Sequence, residues 1–126
     1  MKFQPDHLDG VNAVSRLERG RIWVHQTPFT DSLLIPWVGQ VQPWAARQAG
    51  DLSAAHFEQL LPLQPELVIF GSGDSLRFVS PSLYRCLIER RIGIETMDTA
   101  AACRTFNVLV HEGRKVVGAF LLNPLA

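Results

Sequence analysis

The sequence predicts an α/β domain built on a mixed β-sheet, with a parallel βαβ C-terminal half and a β-hairpin-rich N-terminal part. Three observations carry this expectation. The run Leu67-Val68-Ile69-Phe70 is continuously apolar and stops at Gly71-Ser72-Gly73-Asp74, the pattern of a strand buried on both faces. A helical pattern separates it from a second extended run, Ile94-Glu95-Thr96-Met97, so strand, helix and strand form a βαβ unit. Its crossover should be right-handed and its strands parallel. Two alternating segments also flank Glu18-Arg19-Gly20, with glycine where a three-residue hairpin connection favours positive φ.

Taken in order, residues 1 to 10 are an irregular lead-in, since Pro5, Asp6, Asp9 and Gly10 discourage regular structure. From Val11 to Leu17 the chain alternates, with Val11, Ala13 and Ser15 facing one way and Asn12, Val14 and Arg16 the other. Arg21 to Gln26 is the returning strand of the hairpin. Thr27 to Asp31 reads as a turn, and Ser32 to Ile35 as a third short strand closed by Pro36. Val38 to Gln42 reads as a further short strand, with Pro43 at its exit. Asp51 and Ser53 are N-cap candidates for a helix with Phe57, Leu60 and Leu61 on one face, and His56 falls on its solvent side.

In the second half, Glu66 to Phe70 is a central strand and Arg77 to Val79 a brief extended piece. Ser80 caps a helix that carries Pro81 in its first turn. Its stripe is Leu83, Tyr84, Leu87, Ile88 and Arg91, and Gly93 ends it at C′. Asp98 caps a helix from Thr99 to about Glu112 with Ala102, Cys103, Phe106, Leu109 and Val110 as core stripe. Gly113 stops it, Lys115 to Leu122 is the last strand, and Asn123-Pro124 ends the regular structure. A length of 126 residues, 47% hydrophobic, suits one domain over residues 1–126 with a single sizeable core.

Composition excludes several function classes. Twelve basic residues balance twelve acidic ones, which removes the electrostatic footprint of a general nucleic-acid binder. The start of the chain lacks the apolar region of a signal peptide, and no apolar run approaches the ~18 residues of a membrane span. A soluble, cytoplasmic protein is expected. Cys86 and Cys103 lie in helical patterns among apolar neighbours and read as buried reduced thiols, with a disulfide or a reactive thiol as the alternative. Four histidines and two cysteines show no zinc spacing, so neither a metal nor another cofactor is expected. No Gly-x-Ser-x-Gly elbow is present.

The place for chemistry is the carboxyl edge of the central strands, where open α/β sheets bind ligands. Gly71-Ser72-Gly73-Asp74 lies there, and so does Asp98-Thr99 after the neighbouring strand. The first stretch is not a dinucleotide fingerprint, because Leu76 stands where a third glycine belongs, and no Walker lysine follows. It is either a structural turn or one wall of a crevice. Asp98 is either the helix N-cap or a carboxylate facing Asp74, and two such carboxylates could bind a cation or share acid and base roles. Thr105, Asn107 and Arg114 add polar groups around the last helix and strand. Asn107 adjoins an apolar stripe, which requires its amide to be hydrogen-bonded, either to a neighbouring loop or to a ligand in the crevice. Arg114 is either a carboxylate clamp or a solvated turn residue. Trp37 and Trp44 either close the edge of the core or form a partner surface.

Val68-Ile69-Phe70-Gly71-Ser72-Gly73, then Ile94 to Thr99 with Ala102, Thr105, Phe106 and Asn107, then Glu112-Gly113-Arg114-Lys115-Val116-Val117-Gly118-Ala119, resembles a family of small single-domain proteins. The family includes the mitochondrial respiratory complex I assembly factor 3 and the adipogenesis-associated Mth-domain protein. The resemblance implies a three-layer α/β fold with a central mixed sheet, and a role in assembly or regulation through protein contacts rather than chemistry. Its motif positions here are Gly71, Gly73, Asp98, Thr99, Thr105, Asn107 and Arg114. The mitochondrial relative's targeting extension is missing, which favours a bacterial cytoplasmic member. Two functions follow as expectations: a non-catalytic assembly or interaction factor with a protein partner, and a small-molecule-binding protein or small enzyme using the crevice.

Overall fold

The computed structural model describes residues 10–123; most of the expected lead-in, and Pro124, lie outside the described residues. Eight strands and three α-helices follow in the order β1 (Val14–Glu18), β2 (Arg21–Val24), β3 (Thr27–Phe29), β4 (Leu33–Pro36), β5 (Gln42–Pro43), α1 (Ala54–Glu58), β6 (Leu67–Gly71), α2 (Arg85–Glu89), β7 (Gly93–Met97), α3 (Thr99–His111) and β8 (Val116–Phe120). Short 3₁₀ turns at Ala49–Asp51, Leu61–Leu63 and Pro81–Tyr84 join them. A five-stranded mixed sheet has the order β5-β4-β8-β6-β7, with β6 parallel to both neighbours and β4 antiparallel to β8. A separate antiparallel sheet has the order β1-β2-β3.

The large sheet is apolar on both faces, which is why β6 and β8 read as unbroken hydrophobic runs. On one face Ile69, Val116, Phe120, Leu33 and Ile35 pack with Ala102, Cys103, Phe106 and Val110 of α3 and with Val14, Ile22 and Val24 of the small sheet. On the other, Val68, Phe70, Val117, Ala119 and Leu34 pack with Trp44, Phe57, Leu60 and Leu87. The result is the expected three-layer α/β fold with a mixed sheet at its centre. Gly118 belongs to the first face because a Cβ there would come 2.4 Å from the Phe120 ring, which meets Phe106 edge-on at 6.0 Å.

Several local expectations need correction. Strict alternation before the hairpin fails at a β-bulge: Val14 pairs with Val24 but Arg16 with Trp23, leaving Ser15 extra. The added residue turns Val14 inward and Arg16 outward, whereas an unbroken strand would place both on one face. The Ser15 hydroxyl donates to His25 O and fixes the bulge. Thr27 to Phe29 is a strand rather than a turn. The reversal occurs at His25-Gln26, with His25 at φ 54°. The strand expected at 38–42 shrinks to the two residues Gln42–Pro43, because proline ends its pairing.

The 85–89 helix is shorter than its apolar pattern, and Ile88 is 54% exposed. Its terminator is Arg91 at φ 58°, not Gly93, which instead begins β7. Arg91 N–H donates to Ile88 O and Ile92 N–H to Leu87 O, a Schellman closure with Arg91 at C′. Replacing Arg91 by glycine removes the left-handed strain and is expected to raise stability by about 0.5–1 kcal/mol, measurable as a higher urea midpoint. The same closure recurs after α3 with glycine in place: Gly113, at φ 82°, donates to Val110 O, and Arg114 N–H to Leu109 O.

His56 does not stand free in solvent. Its Nδ1 lies 3.0 Å from Ser53 N and Nε2 lies 2.9 Å from Ala45 O. A backbone N–H can only donate and a carbonyl only accept, so the proton sits on Nε2. The ring therefore ties the loop before α1 to the first turn of that helix.

Candidate functional site

The chain leaves β6 toward α2 on one face of the sheet and leaves β7 toward α3 on the other. Their carboxyl ends consequently diverge, the arrangement that opens a crevice in α/β sheets. Thr99, the first residue of α3, holds this edge together. Its hydroxyl donates to Leu121 O at 2.7 Å and accepts from Gly73 N–H at 2.9 Å, and its own N–H donates to Gly73 O at 2.9 Å. Leu121 N–H donates to Gly71 O and Ser72 N–H to Met97 O, so the chain after β6, β7 and β8 is knotted at one point. Thr99 is buried, and the hydroxyl has both hydrogen-bonding roles filled.

Both glycines here have steric reasons. A Cβ on Gly71 would meet Thr99 Oγ1 at 2.9 Å and Ala102 Cβ at 3.1 Å, so its absence lets α3 lie close on β6. Gly73 takes φ 112°, a conformation other residues rarely adopt. Asp98 is the N-cap of α3, its Oδ1 accepting from Ala101 N–H at 2.9 Å. The loop beyond folds on Ser72, whose hydroxyl accepts from Arg77 N–H and donates to Ser75 O. It leaves Leu76 and Phe78 exposed, the latter at 76%.

A groove of about 210 Å³ runs along this edge, and Gly73, Asp74, Asp98 and Thr99 line it together. Its opposite wall is Leu17-Glu18-Arg19-Gly20, the tip of the β1–β2 hairpin. Sequence reasoning missed that wall. The turn was visible in Gly20, but its docking beside Asp98 depends on packing between distant parts of the chain.

The remaining expected site residues lie elsewhere. Thr105 donates from its hydroxyl to Met97 Sδ at 3.3 Å, on the flank of α3. The Asn107 amide is taken up by one residue, accepting from Val14 N–H at 2.9 Å and donating to Val14 O at 2.8 Å. Arg114 lies at the opposite end of the sheet. It precedes β8, which starts beside the start of β6, so a five-residue strand of about 17 Å separates it from the groove. Its Nε donates to Glu66 Oε1 at 2.8 Å, and this hydrogen bond, with a second from Lys115 N–H, holds the Glu66 carboxyl below its ordinary range. Arg114 is thus no wall of the crevice, because parallel strands put its end of β8 at the amino edge.

Trp44 gives way as a partner surface for a similar reason: it is 2% exposed. It sits edge-on to Phe57 at 5.9 Å and Phe70 at 6.0 Å, and its indole N–H donates to His56 O. Trp37 is half-buried and packs against both halves of the core. Both cysteines are free thiols, and burial pushes that of Cys103 up to about 12. Among the described residues no cluster of histidine, cysteine and carboxylate side chains is placed to hold a metal ion, and no helix is long and apolar enough to cross a membrane.

Residues 14–121 match the family described as "Protein of unknown function (DUF498/DUF598)". The chain is 38% identical over 86 residues to NADH dehydrogenase (ubiquinone) 1 alpha subcomplex assembly factor 3 of Bos taurus, covering 67% of this chain and 46% of that protein. It is 35% identical over 124 residues to the Mus musculus protein of the same name, covering 97% of this chain and 65% of the relative. The chain therefore spans between about half and two thirds of the length of these curated relatives. Among solved structures, a Bordetella parapertussis protein superposes with a TM-score of 0.86 at 34% identity, over 90% of this chain and 98% of that one. A Bordetella pertussis protein described as a Mth938-like domain superposes with a TM-score of 0.84 at 28% identity, over 98% and 94%. The match across both sheets and α3 establishes that this chain belongs to the DUF498/DUF598 family and has the Mth938-like fold.

Proposed function

We propose that this protein is an assembly or protein-interaction factor of a bacterial cytoplasm, working by contact with a partner polypeptide and not by a reaction of its own. The observation that carries this reading is its 35% identity, across 97% of the chain, to a respiratory-complex assembly factor. The site geometry supports it. Thr99 and Asn107 have their side-chain polar atoms engaged in closing the fold, Arg114 pairs with Glu66, and Asp98 caps a helix. The exposed Leu76 and Phe78 add apolar surface of the kind that protein contacts use. The bacterial placement draws support from the similarity to Bordetella proteins over nearly their whole length.

The test is deletion of the coding sequence in its own host, with assembled NADH dehydrogenase complex measured by native electrophoresis and in-gel activity. A clear loss of the full complex, restored by the wild-type chain, is the expected result. An undiminished complex would overturn the respiratory assignment.

The second reading, a ligand site, rests on the convergence of Asp74, Asp98 and the Arg19 turn on one groove. At about 210 Å³ the groove is smaller than the ~300–1,000 Å³ of drug-sized sites, which favours the first reading. A metabolite thermal-shift screen separates the two, since a ligand at 100 times its Kd stabilises by about 2.7 kcal/mol.

A further inference from the structure

The outer face of the β1–β2–β3 sheet carries charged side chains that the fold positions by a special device. The bulge at Ser15 turns Arg16 outward to sit opposite Trp23, and the next outward pair is Glu18 and Arg21. The guanidinium carbon of Arg16 lies 4.7 Å from the Trp23 ring centroid and that of Arg21 lies 5.5 Å away. Arg16 also pairs with Glu18. Arg19 and Arg21 are exposed and form no ion pair among the described residues. Two guanidiniums, Arg16 and Arg21, against one carboxylate, Glu18, give this face a positive excess, although the whole chain is neutral.

We propose that this face binds an extended acidic segment of a partner protein, one with carboxylates at alternate positions. The inference rests on the reading that the protein works through protein contacts, and it names the chemistry of the partner. Arg16 and Arg21 are diagonal neighbours across the β1–β2 pair, a relation that separates residues by about 7–8 Å. Same-face side chains on an extended strand repeat every ~6.6 Å, so two glutamates two residues apart reach both arginines. Stacking on Trp23 holds the two guanidiniums in place before the partner arrives, which lowers the ordering cost of binding. The same stacking engages the indole, whereas a nucleic-acid site needs a ring free to stack on bases and a longer run of cations. Glu18 is the internal competitor for Arg16.

The test uses the full chain and fluorescein-labelled peptides read by anisotropy: (Glu-Thr)₄, its (Gln-Thr)₄ counterpart, a dT₁₂ oligonucleotide, and vesicles of phosphatidylcholine with phosphatidylserine. Binding of (Glu-Thr)₄ alone, weakened by salt and roughly tenfold by the Arg16→Gln/Arg21→Gln double variant, is the expected result. Glu18→Gln should tighten it, a gain that misfolding cannot mimic. Failure of (Glu-Thr)₄ to bind, binding insensitive to the double variant, or equal or tighter binding of dT₁₂ or vesicles would each overturn the proposal. Reduced complex assembly on deletion together with no peptide binding would sink this surface while leaving the assembly role intact. Peptide binding with normal assembly would do the reverse.

Discussion

Replacing Asn107 by alanine is expected to destabilise the protein by about 2–4 kcal/mol, a large part of the ~5–15 kcal/mol typical of a domain. The amide makes two hydrogen bonds to one residue, Val14, which is fully buried. Alanine leaves the Val14 N–H and C=O without partners in a place water does not reach, and each orphaned group costs about 1–3 kcal/mol. The loss is greater than the count of bonds implies, because these bonds fasten the small sheet to α3. Urea unfolding should show a lower midpoint with an unchanged slope. Asn107→Asp keeps the acceptor for Val14 N–H but sets a carboxylate oxygen against Val14 O, so it should not rescue. A midpoint within error of wild type for Asn107→Ala would mean the clip contributes nothing.

Thr99→Val is the second large effect, again about 2–4 kcal/mol. Valine matches threonine in shape, so packing is kept and the change isolates the hydroxyl. Without it, Leu121 O loses its donor and Gly73 N–H its acceptor, both at a buried point where three strand ends meet. Thr99→Ser retains both bonds and should fall much closer to wild type. Amide exchange gives a local readout: Gly73 N–H should exchange faster in the valine variant, whereas Leu121 N–H, bonded to Gly71 O, should change less.

The pattern of what the sequence disclosed has a physical basis. The strand–helix–strand region was legible because its signals are local: an apolar run ending in glycine, an aspartate N-cap, a glycine at C′ of α3. Asn107 could be recognised as a hydrogen-bonded residue from its place beside an apolar stripe, but its partner, 93 residues away, could not. The N-terminal half was less legible because one inserted residue, Ser15, inverts the facing of everything after it, and a bulge leaves no compositional mark. Arg114 reads as a crevice residue from its place in the polar set around the last helix and strand, but a full strand length separates it from the groove. The hairpin wall of the groove escaped notice since Glu18, Arg19 and Gly20 read locally as a turn and nothing more.

The strand edges have a consequence for how a partner can approach. In the small sheet, β1 carries the Ser15 bulge and β3 carries Pro28, which has no N–H to offer. In the large sheet, β5 is two residues long and ends in Pro43, and β7 presents Glu95 among partly covered neighbours. Each of these four strand borders is interrupted, shortened or charged. Such borders resist runaway self-association through backbone pairing. On the proposed reading, a partner polypeptide therefore lies across a face and meets side chains there, not a strand edge whose backbone ladder it completes.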